Sequence, residues 1–209
     1  MRVDIWSDIV CPWCYVGKRR FETALAAFDA ATIEVVHHSF QLNPAAPRDR
    51  TTDRRQMLMQ KYRLTEARVD ELDAQMTHLA AAEGLQYRLE GTVTGNTFDA
   101  HQLVHLAHEH GRQDAMLERL YHAYFSEGRS VFDQESLVEL AQEAGLDRDT
   151  ARAALAGARY ASAVRDDMEL ARRIGITGVP FFVIDSHYGV SGAQSSARFL
   201  EALTSAAAR

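Results

Sequence analysis

The sequence predicts an α/β fold in which a small mixed sheet, covered by helices, is interrupted by a long helical insertion. Three observations predict it. A strand–helix–strand pattern opens the chain, and two strands and a helix close it. Between them, from about residue 52 to 174, the apolar residues recur almost entirely at helical spacing.

Val3 to Ile9 mixes β-branched and aromatic residues with polar ones, as a half-buried strand does. Cys11-Pro12-Trp13-Cys14 follows. Phe21, Leu25 and Phe28 then recur at helical spacing and predict a helix from Tyr15 to Asp29. Ile33, Val35 and Val36 make Thr32 to Phe40 a second strand, and a crossover of this kind makes the two strands parallel. Asn43-Pro44-Ala45-Ala46-Pro47 is a break that neither regular structure continues.

In the insertion, Thr65 is a candidate N-cap and Gly84 a stop. Between them Val69, Leu72, Met76 and Leu79 share one face. Residues 85–95 read as irregular. Helices are expected near 97–110, 114–126, 134–144, 148–157 and 160–174. Leu117, Leu120, Tyr121 and Tyr124 supply one core face, and Leu137, Leu140, Ala141 and Ala144 the next.

The strand signal returns at Phe181 to Ile184, a continuous apolar run that reads as buried on both faces. Asp185-Ser186-His187 is a hairpin turn into Tyr188–Ser191, and Phe199, Leu200 and Leu203 mark a closing helix. The sum is a thioredoxin-like mixed sheet with a large all-helical insertion. The sheet domain takes residues 1–51 and 151–209, and the insertion takes 52–150.

A chain of 209 residues, 46% hydrophobic and 25% charged, is long enough to bury a core without metals or disulfide staples. Its net charge of −6, with basic residues scattered among acids, argues against nucleic-acid partners. No apolar stretch suits a membrane span, and the N-terminus lacks a leader pattern, so a cytoplasmic protein is expected. Only two cysteines are present, three residues apart. In a reducing compartment such a pair is chemical rather than architectural.

Thiol exchange needs a thiolate. A strand-to-helix junction sets Cys11 at the helix N-terminus, where free N–H groups and the macrodipole favour negative charge. Pro12 suits the first helical position. Cys14, one turn on, can resolve a mixed disulfide on Cys11 and is expected to sit deeper, with Cys11 accessible. No second cysteine pair exists to complete a zinc site, so no metal is expected.

Pro180 opens the strand at Phe181. A cis Val179–Pro180 bond would expose the Val179 backbone to an incoming peptide or thiol ligand. Asp4, seven residues before Cys11, is a candidate acceptor for the Cys14 proton. Trp13 is expected to offer its ring to substrate. His101, His105 and His108 share a helix face, but His101-Gln102-Leu103-Val104-His105 lacks the glutamate of a metalloprotease motif.

Ser7-Asp8-Ile9-Val10-Cys11-Pro12-Trp13-Cys14-Tyr15-Val16-Gly17 resembles the active-site segment of DsbA-like oxidoreductases, most closely their FrnE-like branch. Gly175 to Phe182 resembles the cis-proline segment. Phe40-Gln41-Leu42-Asn43-Pro44, Asn96-Thr97 and Gly192-Ala193-Gln194 also resemble family motifs, so the likeness covers essentially the whole chain. It implies thiol–disulfide exchange with protein or small-molecule thiols. No cofactor is required, and glutathione is a possible co-substrate. Asn96 and His101 are then expected near the substrate.

The same superfamily holds 2-hydroxychromene-2-carboxylate isomerases and kappa-class glutathione transferases, which typically carry serine at the position of Cys11. A glutathione-dependent isomerase or transferase of an aromatic or polyketide-like molecule is therefore one alternative. A redox-responsive client-binding protein is another.

Overall fold

The computed structural model describes residues 1–28 and 33–208. Asp29 and Thr32, the predicted end of the first helix and start of the second strand, lie outside the described residues. The chain divides into two compact units, residues 1–42 with 164–209, and residues 43–163. The sequence division after 150 falls inside α7 (Arg148–Ala156), whose amphipathic face packs on α4 and α6 within the helical unit. A helix buried along one face stays with the neighbours that cover it.

In the first unit β1 (Arg2–Ser7) leads to α1 (Pro12–Ala27) and β2 (Glu34–Ser39). β5 (Phe181–Ile184), β6 (Tyr188–Ser191) and α9 (Ser196–Ala207) close it, and α8 (Ala161–Arg173) leads into it. The sheet order is β2-β1-β5-β6. β1 runs parallel to β2 and antiparallel to β5, and β5 pairs antiparallel with β6, so the expected mixed sheet is present.

Alternation along the strands sorts the two faces. Val3, Ile5, Phe182 and Ile184 pack under Phe21 and Ala24 of α1 and Phe199 and Leu203 of α9. Phe182 and Phe199 meet edge to face with ring centroids 4.5 Å apart. Trp6 lies on the other face with Ala171 of α8 and Ile176. β5 therefore alternates, with Phe182 and Ile184 buried and Phe181 and Val183 partly so, rather than being sealed on both faces. A three-residue loop, 185–187, joins β5 to β6, its turn centred on Asp185 and Ser186 with the His187 N–H donating to the Ile184 carbonyl at 3.0 Å.

The second unit holds α2 (Arg54–Tyr62), α3 (Glu66–Ala82), α4 (Phe98–Glu109), α5 (Gln113–His122), α6 (Gln134–Glu143) and α7. Several of its helices begin on side-chain caps: Thr65 accepts from the Arg68 N–H, and Asp133 and Asp147 cap α6 and α7. Leu117, Leu120, Tyr121 and Tyr124 are buried, as are Leu137, Leu140 and Ala141. Two features escape the periodicity. β3 (Thr52–Asp53) pairs with β4 (Val93–Thr94) in a ladder too short to show alternation. The helix expected to run to 126 passes at His122 into a π-helical turn, Ala123–Glu127, which ends on Gly128 at φ +69°. Among the described residues no helix is long and apolar enough to cross a membrane.

Candidate active site

β1 ends at Ser7, and a turn in which the Cys11 N–H donates to the Asp8 carbonyl at 3.1 Å starts α1. Cys11 is the N-cap, with extended backbone, and Pro12 occupies the first helical turn, where its missing donor is harmless. The Cys14 N–H closes that turn on the Cys11 carbonyl at 3.0 Å. Both thiols thus belong to one turn of helix at its positive end. The Cys11 side chain does not cap the helix. Its Sγ lies 3.6 Å from the Val179 carbonyl, to which the thiol can donate. The Val179–Pro180 bond is cis, and the Pro180 carbonyl accepts from the Gly192 N–H at 2.8 Å.

Gly17 makes this approach of chain segments possible. A Cβ there would stand 3.0 Å from Pro180 Cγ and 3.4 Å from Ala193 Cβ. Glycine in mid-helix has a lower helix propensity than alanine, so its place in α1 reflects close packing.

The thiols are unbridged and both buried, Cys11 at 4% exposure and Cys14 at 2%. The expected contrast between an accessible and a deep sulfur is therefore small, because tertiary structure covers Cys11 as well. Burial pushes the Cys14 thiol well above its ordinary range, and the hydrogen bond and charge of Cys11 add to the shift. The Asp8 backbone pulls it partly back, while the Asp8 charge raises it further.

Asp8 is the carboxylate beside Cys14, and the residue-by-residue reading missed it. It is 1% exposed, and its Oδ2 accepts from the Leu42 N–H at 2.7 Å. The available signal was an acid directly after an apolar strand and three residues before a cysteine. Asp4, the carboxylate expected to serve Cys14, has other partners. Arg2 donates to it at 2.7–3.2 Å, and His38 Nε2 stands 2.7 Å from its Oδ1. It shares the Trp6 side of β1, away from α1, because the strand period of two sends Asp4 and Trp6 to one face and Ile5 to the other.

Trp13 is 44% exposed. Asn96 and His101 belong to the helical unit. The Asn96 amide is committed locally, donating to the Ala46 carbonyl at 2.7 Å and accepting from the Phe98 N–H at 2.9 Å at the start of α4. His101 is 1% exposed within α4, and His105 stacks on Tyr160 at 6.5 Å. Among the described residues no group of three His, Cys, Asp or Glu side chains could hold a metal ion.

A four-stranded mixed sheet, a helix-start dithiol and a Pro180 segment against the first thiol define a thioredoxin-fold oxidoreductase or a related enzyme. Residues 2–204 match the family model of the DSBA-like thioredoxin domain, and the chain belongs to that family. It is 51% identical to a probable DsbA oxidoreductase of Streptomyces coelicolor, covering all of this chain and 91% of that one, with a TM-score of 0.96. The cytosolic disulfide reductase DsbM of Pseudomonas aeruginosa, solved with GSH, shares 18% identity over the whole of both chains at a TM-score of 0.70. A 2-hydroxychromene-2-carboxylate isomerase shares 17% over all of this chain and 95% of its own, at 0.73. The last two likenesses are of fold.

Proposed function

We propose that the protein is a thiol–disulfide oxidoreductase in which Cys11 attacks and Cys14 resolves. The observation that carries this reading is the asymmetry within one helical turn. Burial, with the neighbouring Cys11, pushes the Cys14 thiol up, while Cys11 is the N-cap, at the end of the helix where a thiolate meets free N–H groups. Cys11 as thiolate attacks a substrate disulfide, and one substrate sulfur leaves as the thiolate. Cys14 then loses its proton and attacks Cys11 Sγ. The second substrate sulfur is released, and two electrons have passed from the dithiol to the substrate. The reverse sequence oxidises a substrate dithiol.

The Val179 carbonyl is the natural acceptor for a substrate backbone N–H, and the exposed Trp13 ring a contact for its side chains. Substrates are protein or small-molecule thiols and disulfides, with glutathione able to recycle the pair. A cytoplasmic site of action suits a chain whose only two cysteines both lie in the reacting turn.

The test is insulin reduction by purified protein with dithiothreitol, with and without glutathione. Turnover without glutathione is expected. Cys11→Ser should abolish it, and Cys14→Ser should accumulate mixed disulfides. The likeness in fold to the isomerase favours one second reading, a glutathione-dependent isomerase or transferase. That reading needs only one bound thiolate. Silence with insulin, together with glutathione-dependent turnover of an aromatic substrate that survives Cys14→Ser, would replace the first reading with the second.

A further inference from the structure

The α8 face of the sheet buries a set of charges that the exchange steps do not use. His38 on β2 has both ring nitrogens on carboxylates. Nε2 stands 2.7 Å from Asp4 Oδ1 on β1, and Nδ1 stands 2.7 Å from Asp167 Oδ1 on α8. A neutral imidazole carries one N–H and one lone pair, and a lone pair facing a carboxylate at that distance is repulsive. Only the imidazolium, a donor at both nitrogens, satisfies both contacts. The groups facing it are Asp4, backed by Arg2, from β1, and Asp167 from α8. β5, the next strand, is Phe-Phe-Val-Ile and presents nothing titratable. Burial alone would lower the His38 pKa, but Asp167 and Asp4 together outweigh it and raise it.

The same cluster holds the structure behind Cys11. Asp167 Oδ2 accepts from the Ser39 N–H at 2.7 Å, and its carbonyl accepts from Trp6 Nε1 at 3.2 Å. The Trp6 indole stacks on His38 with ring centroids 4.4 Å apart and planes 15° from parallel. Val179 and Phe181 pack on the small core that Trp6 forms with Ala171 and Ile176. A continuous path of contacts therefore runs from His38 through Trp6 and α8 to Val179, whose carbonyl stands at Cys11 Sγ.

We infer that His38 is a positioning residue for the thiol chemistry: as an imidazolium clamped between Asp4 and Asp167, it holds Trp6 and α8, and through them keeps the Val179 carbonyl over Cys11. The inference deepens the proposed function, since it rests on Cys11 being the reacting thiol. When His38 loses its proton, one carboxylate contact becomes repulsive, the clamp loosens, and Cys11 is less covered. The reactivity of a thiol on one side of the sheet then depends on the charge of an imidazole on the other.

The measurement is the rate of Cys11 alkylation by iodoacetamide from pH 6 to 10, read by peptide mass spectrometry on wild type and His38→Gln. The wild type should show two rises, one for Cys11 ionisation and a second where His38 deprotonates. His38→Gln should lack the second rise and react roughly five- to tenfold faster near pH 7, the lower end of measured couplings between sites. A lost packing contact alone would lower the melting temperature without removing an inflection. A His38→Gln profile that superimposes on the wild type, or lies below it, overturns the inference.

If His38→Gln does not fold, the wild-type chain decides. Coupling between equilibria is reciprocal, so if the His38 clamp holds the Val179 carbonyl on the Cys11 thiol, His38 followed by NMR should titrate at different pH in the dithiol form, where that thiol can donate, and in the disulfide form, where it cannot. Equal midpoints overturn the inference. Insulin reduction separates the two claims. A two-step alkylation profile in a protein silent with insulin sinks the oxidoreductase reading alone. Insulin turnover with superimposable profiles sinks only the role of His38.

Discussion

The two units bury different chemistry. The sheet unit encloses Asp4, Asp8, Lys18 and Asp167, all charged groups, whereas the helical unit encloses neutral polar side chains such as Gln102, Gln113 and Thr97 around an apolar core. Several of the helical unit's ion pairs lie nearer the solvent. Arg119, for example, links Glu127 and Glu143, and Arg129 also reaches Glu143, at 2.8 Å. An unpaired buried charge costs several kcal/mol, so burial of charge needs tight pairing and is worth little as a plain stabiliser. Its concentration in the unit that holds the thiols fits a role in positioning. The helical unit is held by packing.

The largest expected effect breaks this contrast directly. Asp167→Ala leaves His38 with one carboxylate and the Ser39 N–H without its acceptor, and should cost about 3–5 kcal/mol, as for a broken buried pair. Glu127→Ala removes a partly exposed carboxylate from the Arg119 network and should cost under about 1 kcal/mol. Urea unfolding of both variants at neutral pH gives the comparison. Similar losses would show that the burial of charge is not what distinguishes the units.

A smaller effect sharpens the same comparison through pH. The His38 pKa is raised in the folded chain, because Asp167 and Asp4 outweigh burial. Its contribution to stability is therefore complete below the ordinary imidazole value and is lost as pH rises through the raised one. Asp4 behaves oppositely. Burial would raise it, but the hydrogen bonds from Arg2 and His38 lower it. Its contribution is present above the ordinary carboxylate value and is lost as pH falls through the lowered one. Urea midpoints should form a plateau with a falling alkaline limb, and His38→Gln should flatten that limb while leaving the acid limb set by other carboxylates. An alkaline limb unchanged in His38→Gln would assign it to another group.

What the sequence made legible follows the range of each interaction. The Cys11–Cys14 pair is three residues wide, so its place on one helical turn could be read from the strand before it and the apolar spacing after it. The core faces of α5 and α6 and the hairpin at Asp185-Ser186 are equally local. The Asp4–His38–Asp167 cluster was not legible, because Asp4 and Asp167 lie 34 and 129 residues from the His38 they both bind. Pairings at that separation are set by strand register and by the docking of α8, neither of which leaves a spacing signal. The low exposure of Cys11 was missed for the same reason, since its cover comes from Val179, 168 residues away. The β3–β4 ladder was missed on length alone, because two residues cannot display a period of two.

The smallest expected effect concerns an exposed corner of the sheet unit, and it separates sensitivity of that unit as a whole from sensitivity at its buried charges. Asp185 and Ser186 both have positive φ, +45° and +59°, at the centre of the turn in the three-residue loop that joins β5 to β6. Such turns match the twist of the strands, but the left-handed conformation costs a residue with a Cβ about 1–2 kcal/mol. Asp185 has compensation, since its Oδ1 accepts from the Arg2 N–H at 2.6 Å and its own N–H donates to the Arg2 carbonyl at 2.8 Å. Ser186 has an exposed side chain and no such bond to β1. Glycine at 186 removes the steric cost and adds about 0.5–1 kcal/mol of unfolded-chain entropy, so Ser186→Gly should gain roughly 0.5 kcal/mol. The urea midpoint should rise with an unchanged slope, because the surface exposed on unfolding is the same. Ser186→Val, which adds a branched Cβ at the same φ, should move the midpoint down. A gain for glycine beside a loss of several kcal/mol for Asp167→Ala would locate the fragility of this unit at its buried charges. Equal losses at both positions would instead mark the whole sheet as marginal.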